Sequence, residues 1–163
     1  MAFTIAKLKV GAGMLAISAM PGRGGVYDAD LREILRFGPA LVLSMTTLGE
    51  LQAKGAERLE SDLSDHGILW RHCPVQDYSV PAGGPKGGAW PKISAEIHEI
   101  LAEGERVLVH CMGGCGRSGM AVLRLMVEAG EPADEALRRL RQARPCAVET
   151  DAQFNWAALG RGW

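Results

Sequence analysis

The sequence predicts an α/β fold, a single domain over residues 1–163 with a central, mainly parallel sheet and helices on both faces. Three observations predict it. Short apolar runs of strand length alternate along the chain with longer segments of helical period. The helical segments are long enough to serve as crossovers between parallel strands. At 163 residues, 47% hydrophobic and 23% charged, the chain has the mass and apolar content for one adequate core.

Phe3, Ile5 and Leu8, followed by Met14 to Ile17, read as two short strands joined at a glycine turn, and Pro21 and Gly22 end this unit. Asp28 and Asp30 stand at the front of Leu31, Ile34, Leu35 and Phe37 and predict a helix with an acidic first turn, stopped by Gly38. Leu41 to Leu43 reads as a buried strand. Gly55 divides segment 48–53 from segment 55–66, in which Leu59 and Leu63 lie one turn apart; Ile68 to Cys73 is the next strand. Ile93, Ile97, Ile100 and Leu101 share one face of a helix over 91–103. Val107 to Val109 forms another buried strand, and 117–129 a long apolar helix stopped by Gly130. Two helices complete the chain: Pro132 to Ala143, acidic first and arginine-rich last, and Thr150 to Leu159.

Composition narrows the partners and the compartment. Eighteen basic against nineteen acidic residues leave a net charge of -1, which argues against nucleic acid or an anionic membrane as a general partner. The four cysteines, Cys73, Cys111, Cys115 and Cys146, lack the paired spacing of a disulfide scaffold or a structural zinc site, so a reducing, cytoplasmic setting is expected. Lys7, Lys9 and the apolar residues after them look superficially like an export signal. That stretch is short, carries Gly11 and Gly13, and has Ile17 where a small residue should precede Ala19. The expected state is a monomer.

Between the strand ending at Val109 and the helix beginning at Arg117 runs His110-Cys111-Met112-Gly113-Gly114-Cys115-Gly116-Arg117-Ser118-Gly119. A loop leaving the carboxyl end of a parallel strand is where such sheets hold ligands. Gly113, Gly114 and Gly116 let the amides of Met112, Gly113, Gly114, Cys115, Gly116 and Arg117 turn to one concave side, a nest for an anion closed by a helix N-terminus. A cysteine facing such a nest has its sulfur anion favoured, so Cys111 is the candidate nucleophile. Arg117 offers a planar fork for two oxygens of one phosphoryl group. Ser118 sets a hydroxyl where it can donate to the sulfur when the sulfur must leave. The pattern H-C-x5-R-S-G therefore spells phosphate-ester cleavage or closely related oxyanion chemistry.

On this loop the sequence resembles the cysteine-dependent protein tyrosine phosphatases, in particular their dual-specificity branch and its kinase-associated members. AMPG at Ala19 to Gly22, PVQD at Pro74 to Asp77 and AVETDAQFNW at Ala147 to Trp156 extend the likeness over most of the chain. The resemblance implies a phosphatase domain without metal or cofactor, a cysteinyl-phosphate intermediate, and phosphorylated protein or peptide substrates bearing phosphotyrosine and phosphoserine or phosphothreonine. Phosphoinositides or other small phosphorylated molecules are the alternative substrates, and a non-catalytic phosphate-binding module is the alternative role. The loop has no basic residue besides Arg117, which tells against a lipid headgroup.

A thiolate displaces an alkoxide or phenoxide only if a proton reaches the leaving oxygen. Asp77 is the candidate acid, in the loop after the strand at 68–73 and ahead of Cys111 as the resemblance requires; its competing role is a turn former. The glycine-rich insert Val80 to Trp90 is expected to be a mobile loop that brings Asp77 over the phosphate, or else a passive connection. Tyr78 and Trp90 are candidates for a substrate wall, against simple packing for Trp90. By resemblance Gln153 positions the hydrolytic water, although Thr150-Asp-Ala-Gln153 also spells a capping box. His110 is expected to orient the loop through hydrogen bonds. Cys115 or Cys73 is a candidate to trap oxidised Cys111 as a disulfide. Arg138, Arg139, Arg141 and Arg144 are read as a solvated helix end, with a substrate-guiding patch as the alternative.

Overall fold

A computed structural model of the chain describes residues 2–83 and 88–162. Its centre is a five-stranded sheet built from β1 (Ala6–Val10), β2 (Gly13–Ser18), β3 (Leu41–Ser44), β4 (Leu69–His72) and β5 (Arg106–His110), in the order β1-β2-β5-β3-β4. β1 pairs antiparallel with β2 through the tight turn after Val10; β2 with β5, β5 with β3, and β3 with β4 are parallel. The expected mainly parallel sheet is what forms, with α1 (Tyr27–Phe37), α2 (Leu48–Ala53), α3 (Leu59–Asp65), α4 (Trp90–Ala102), α5 (Gly116–Glu128), α6 (Ala133–Ala143) and α7 (Asp151–Ala158) around it.

The strand period of two divides the core. Leu15, Ile17, Leu41, Leu43, Val107 and Val109 pack on one face with residues of α4, α5, α6 and α7. The intervening Ala16, Val42 and Leu108 pack on the other with Ile34 and Phe37 of α1, Leu51 of α2 and Leu59 and Leu63 of α3. Central strands covered on both sides read as unbroken apolar runs, which is why β3 and β5 showed no alternation. α5 is buried on nearly every side, including Arg124, which donates to the Trp156 carbonyl and pairs with Glu128. Such an all-round buried helix behind β5 gives the loop between them a rigid floor.

Most boundaries fall within a residue or two of expectation. The clearest difference is at α3, which starts at Leu59 because residues 55–58 are spent on turns: Gly55, in the left-handed region, donates to Gln52 O, and Leu59 donates to Ala56 O. Of the insert Val80 to Trp90, residues 84–87 lie outside the described residues, and so does the loop movement expected of them. Among the described residues no helix is long and apolar enough to cross a membrane.

Candidate active site

β5 lies in the interior of the sheet, and its register brings Ser18 of β2 and Ser44 of β3 level with His110. Cys111 is therefore the first residue past the aligned carboxyl ends of three parallel strands. Burial pushes His110 down to about 4, so its ring is neutral near pH 7. The network assigns its tautomer: Nδ1 donates to Cys111 O at 3.3 Å, and Nε2 accepts from Ser44 Oγ at 2.5 Å. Ser44 Oγ in turn accepts from Trp70 Nε1 at 2.8 Å. The imidazole thus ties the first peptide of the loop to the sheet.

The next peptides are held the same way, by their carbonyls. Met112 O accepts from Met20 N at 3.1 Å, and Gly113 O and Gly114 O accept from Arg144 Nη2 and Nε at 3.0 and 2.9 Å. Cys115 O accepts from Gly119 N and Val148 N at 3.0 and 3.1 Å. In a planar trans peptide the N–H points opposite to the preceding carbonyl. Anchoring the carbonyls of residues 111 to 115 in the scaffold directs the amides of Met112, Gly113, Gly114, Cys115 and Gly116 the other way. Two glycines make the path possible. Gly114 has φ +71 and a Cβ there would meet Ser18 C at 2.5 Å, while one on Gly116 would meet Glu149 Oε1 at 2.1 Å.

Cys111 is almost fully buried, and its Sγ lies 3.1 Å from Ser118 Oγ in the first turn of α5. Arg117, also buried, extends beneath the loop. Its Nη1 and Nη2 grip Glu50 Oε1 and Oε2 at 2.7 and 2.9 Å, and Nη1 also donates to Val75 O at 2.9 Å. Among the described residues its Nε has no hydrogen-bond partner, and it stands 3.6 Å from Asp77 Oδ1. Burial, the largest influence on this guanidinium, works against its charge, yet the Glu50 carboxylate together with the charges of Cys111 and Asp77 overcomes it and raises the Arg117 pKa. The same pair holds the Glu50 carboxyl at about 2, below its ordinary 4.5.

Asp77 is exposed, in the loop after β4, with Oδ1 also accepting from Tyr78 N at 3.0 Å. The structure brings it, Cys111, Ser118 and Arg117 to one mouth. Gln153 is buried at the edge of that mouth. Its Oε1 accepts from Glu149 N and Thr150 N at 2.9 and 3.2 Å and the Thr150 hydroxyl accepts from Gln153 N, so the capping box is formed; its Nε2 still reaches Ser79 O at 3.4 Å, in the loop that carries Asp77.

Several sequence expectations need correction. Cys115 pairs with Cys146 in a disulfide, Cα atoms 5.1 Å apart, so it is not a free thiol waiting for Cys111, and the four cysteines do contain a bridge. A sequence separation of 31 hid that pairing. Cys73 is free but buried, which pushes its thiol up to about 11 and makes it a poor trap. Of the two roles weighed for Trp90, packing is the one it takes: it is fully buried, edge-on to Trp156 and donating to Glu128 Oε2. Arg144 is no solvated helix end, since it holds two loop carbonyls, and Arg141 donates to Ala147 O and Val148 O.

Sequence reasoning missed Glu50 altogether. The Thr47-x-x-Glu50 capping box was a signal that a helix starts there, and the same carboxylate that caps Thr47 N reaches Arg117. It also missed Arg23, an exposed residue whose Nη1 lies 3.6 Å from the Cβ position of Gly113.

The chain is similar to several known proteins. Residues 38–131, more than half of the chain, match the family model described as "Polymorphic toxin system, DSP-PTPase phosphatase". The cyclin-dependent kinase inhibitor 3 of Mus musculus is 30% identical over 150 residues, covering 87% of this chain and 69% of the relative, and the Homo sapiens protein is 28% identical over 153. A kinase-associated phosphatase with its catalytic-site cysteine replaced by serine superposes with a TM-score of 0.86 at 23% identity, covering 99% of this chain and 96% of that one. Tk-PTP in its active form does so with a TM-score of 0.73 at 30% identity, covering 91% of each. A cysteine, arginine and serine gathered around inward amides on this sheet, together with these matches, make the chain a member of the dual-specificity branch of the protein tyrosine phosphatases.

Proposed function

We propose that this phosphatase hydrolyses phosphomonoesters on proteins or peptides in two steps, through a phosphorylated Cys111. The observation that carries the reading is the loop from Cys111 to Cys115, whose carbonyls are all held by hydrogen bonds while Cys111 Sγ sits beside Ser118. Amides 112 to 116, with the positive end of α5, are then preorganised for the oxygens of a transferring phosphoryl group. The buried Arg117 Nε, 3.6 Å from Asp77 Oδ1 and with no hydrogen-bond partner among the described residues, is a further donor for those oxygens, its guanidinium held in place by Glu50.

In the first step Cys111 Sγ attacks phosphorus, the P–O bond to the substrate breaks, and Asp77 delivers its proton to the departing oxygen. In the second, water attacks phosphorus, Asp77 accepts the proton, and the sulfur leaves with the Ser118 hydroxyl donating to it. Gln153 Nε2, at the edge of the mouth, is suited to orient that water. The fully formed capping box supports a positioning role for the rest of the amide at the same time.

One observation favours a second reading, a small substrate carrying several phosphates such as a phosphoinositide. Arg23 brings to the loop the additional cation that the loop's own residues lack. A panel of phosphotyrosyl, phosphoseryl and phosphothreonyl peptides and phosphoinositides, run with wild type and Cys111→Ser, separates the two. Release of phosphate from peptides by wild type alone supports the first; release confined to inositol lipids overturns it.

A further inference from the structure

The disulfide between Cys115 and Cys146 belongs to neither the nucleophile nor the acid, yet it joins the phosphate loop to the segment between α6 and α7. That segment is the loop's outer brace. Arg144 holds the carbonyls of Gly113 and Gly114, Val148 N holds Cys115 O, and Glu149 sits against Gly116. The brace is locally uncomfortable: Val148 has φ +68, a left-handed conformation that a β-branched residue rarely adopts. A segment bent against its own preference needs fastening, and the covalent link lies two residues before the bend.

We propose that the Cys115–Cys146 bond is a redox lock on the phosphate loop, holding the brace closed when oxidised and slackening the loop, with loss of turnover, when a dithiol reduces it. The inference rests on the reading of Cys111 as the nucleophile in this loop. Cys146 is exposed and Cys115 only partly so, so a dithiol thiolate attacks Cys146 Sγ. The S–S bond breaks, its electron pair leaves on Cys115 Sγ at the positive end of α5, and a mixed disulfide forms on Cys146. The second thiol of the reductant, as thiolate, then attacks the first, breaking the mixed disulfide and releasing Cys146 Sγ as thiolate. The products are two cysteine thiols and one oxidised dithiol, two electrons having passed to the protein. Cys111 and Cys73 are both buried and take no part. The sign is the reverse of ordinary thiol-enzyme behaviour, in which a reductant only restores activity.

The test is a titration of freshly desalted wild type, kept anaerobic, with reduced and oxidised dithiothreitol in varying ratio. At each ratio the Cys115–Cys146 cystine is counted by non-reducing peptide mass mapping, and kcat is measured on an aryl phosphate. The lock predicts a fall in kcat of about tenfold that tracks the loss of the cystine, a size in keeping with small misplacement of a catalytic loop. It also predicts that Cys146→Ser stays at the low plateau at every ratio. A kcat that stays flat or rises as the cystine disappears overturns the lock, as does mapping that never finds the cystine in protein prepared without reductant. If wild type turns over no substrate in any redox state, the nucleophile reading falls instead. The lock is then judged by hydrogen exchange at Val148 N, bonded to Cys115 O: faster exchange on reduction sustains it, and unchanged exchange ends it. The wild-type titration needs no variant, so a Cys146→Ser protein that fails to fold leaves the test intact.

Discussion

Asp77 and Arg117 face each other at 3.6 Å across the mouth of the site, one exposed and one buried, and the proposed chemistry divides between them on that difference. The exposed carboxyl can exchange protons with solvent between turnovers, whereas the buried guanidinium can only hold charge. Asp77→Asn is expected to slow a substrate with a poor leaving group by about a hundredfold or more while hardly affecting one whose leaving group needs no proton. Steady-state rates on a series of aryl phosphates check this, and equal loss across the series removes Asp77 from the role. Glu50→Gln is expected to lower kcat/KM by about ten- to a hundredfold, because the carboxylate fixes both Nη groups of Arg117. The Glu50 carboxyl is depressed from 4.5 to about 2, so its contribution to stability is fully present above about pH 4.5 and is lost as the pH falls toward 2. Acid unfolding of Glu50→Gln should accordingly be flatter than that of wild type in this window, and identical profiles would contradict the pairing. Cys111 and Arg117 were legible because both lie in one short pattern. Glu50 stands 67 residues from Arg117, and nothing local to Thr47 or Glu50 says where the carboxylate points.

At the scale of elements, the phosphate loop is a short bridge between a central strand and a buried helix, and its shape depends on what grips its carbonyls. Gly114→Ala is expected to cost about 2–4 kcal/mol, combining a strained left-handed residue with overpacking against the Ser18 backbone. Chemical denaturation measures it, and an unchanged midpoint would contradict the geometry. His110 ties the same loop to β3. Its folded pKa, about 4, lies below the ordinary 6.5, so the unfolded chain binds the extra proton and stability falls as the pH is lowered from about 6.5 to 4. His110→Gln should lose that part of the slope in thermal melts across this range; a slope equal to wild type would show that another group is responsible. The loop and its flanking strand and helix were readable from glycine spacing and apolar runs. The brace was not. Residues 144–149 show no periodicity, and their hold on the loop comes from long-range bonds of Arg144 and Cys146 that only the folded chain brings together.

Across the whole molecule, alternation of strands and helices announced a parallel sheet, because crossovers permit little else. The strand order β1-β2-β5-β3-β4 did not follow from it, since pairing β5 between β2 and β3 is decided by packing far along the chain. The same holds for the junction behind the site, where Trp90, Ser94 and His98 of α4 and Arg124 of α5 all bond the buried Glu128. Glu128→Ala is expected to destabilise the fold by about 3 kcal/mol, because its partners stay buried after the carboxylate is gone. Urea unfolding checks it, and a loss below about 1 kcal/mol would show that α4 and α5 dock without it. All of this scaffold serves one claim, that Cys111 carries phosphate during turnover. The direct measurement is a rapid acid quench of wild type mixed with an excess of aryl phosphate, followed by peptide mass analysis. Phosphate carried on Cys111 gives a burst of aryl alcohol and one added phosphoryl group on the peptide containing Cys111, both absent from Cys111→Ser. Aryl alcohol released by wild type with no phosphoryl group on that peptide and no burst, or hydrolysis that persists in Cys111→Ser, would contradict it.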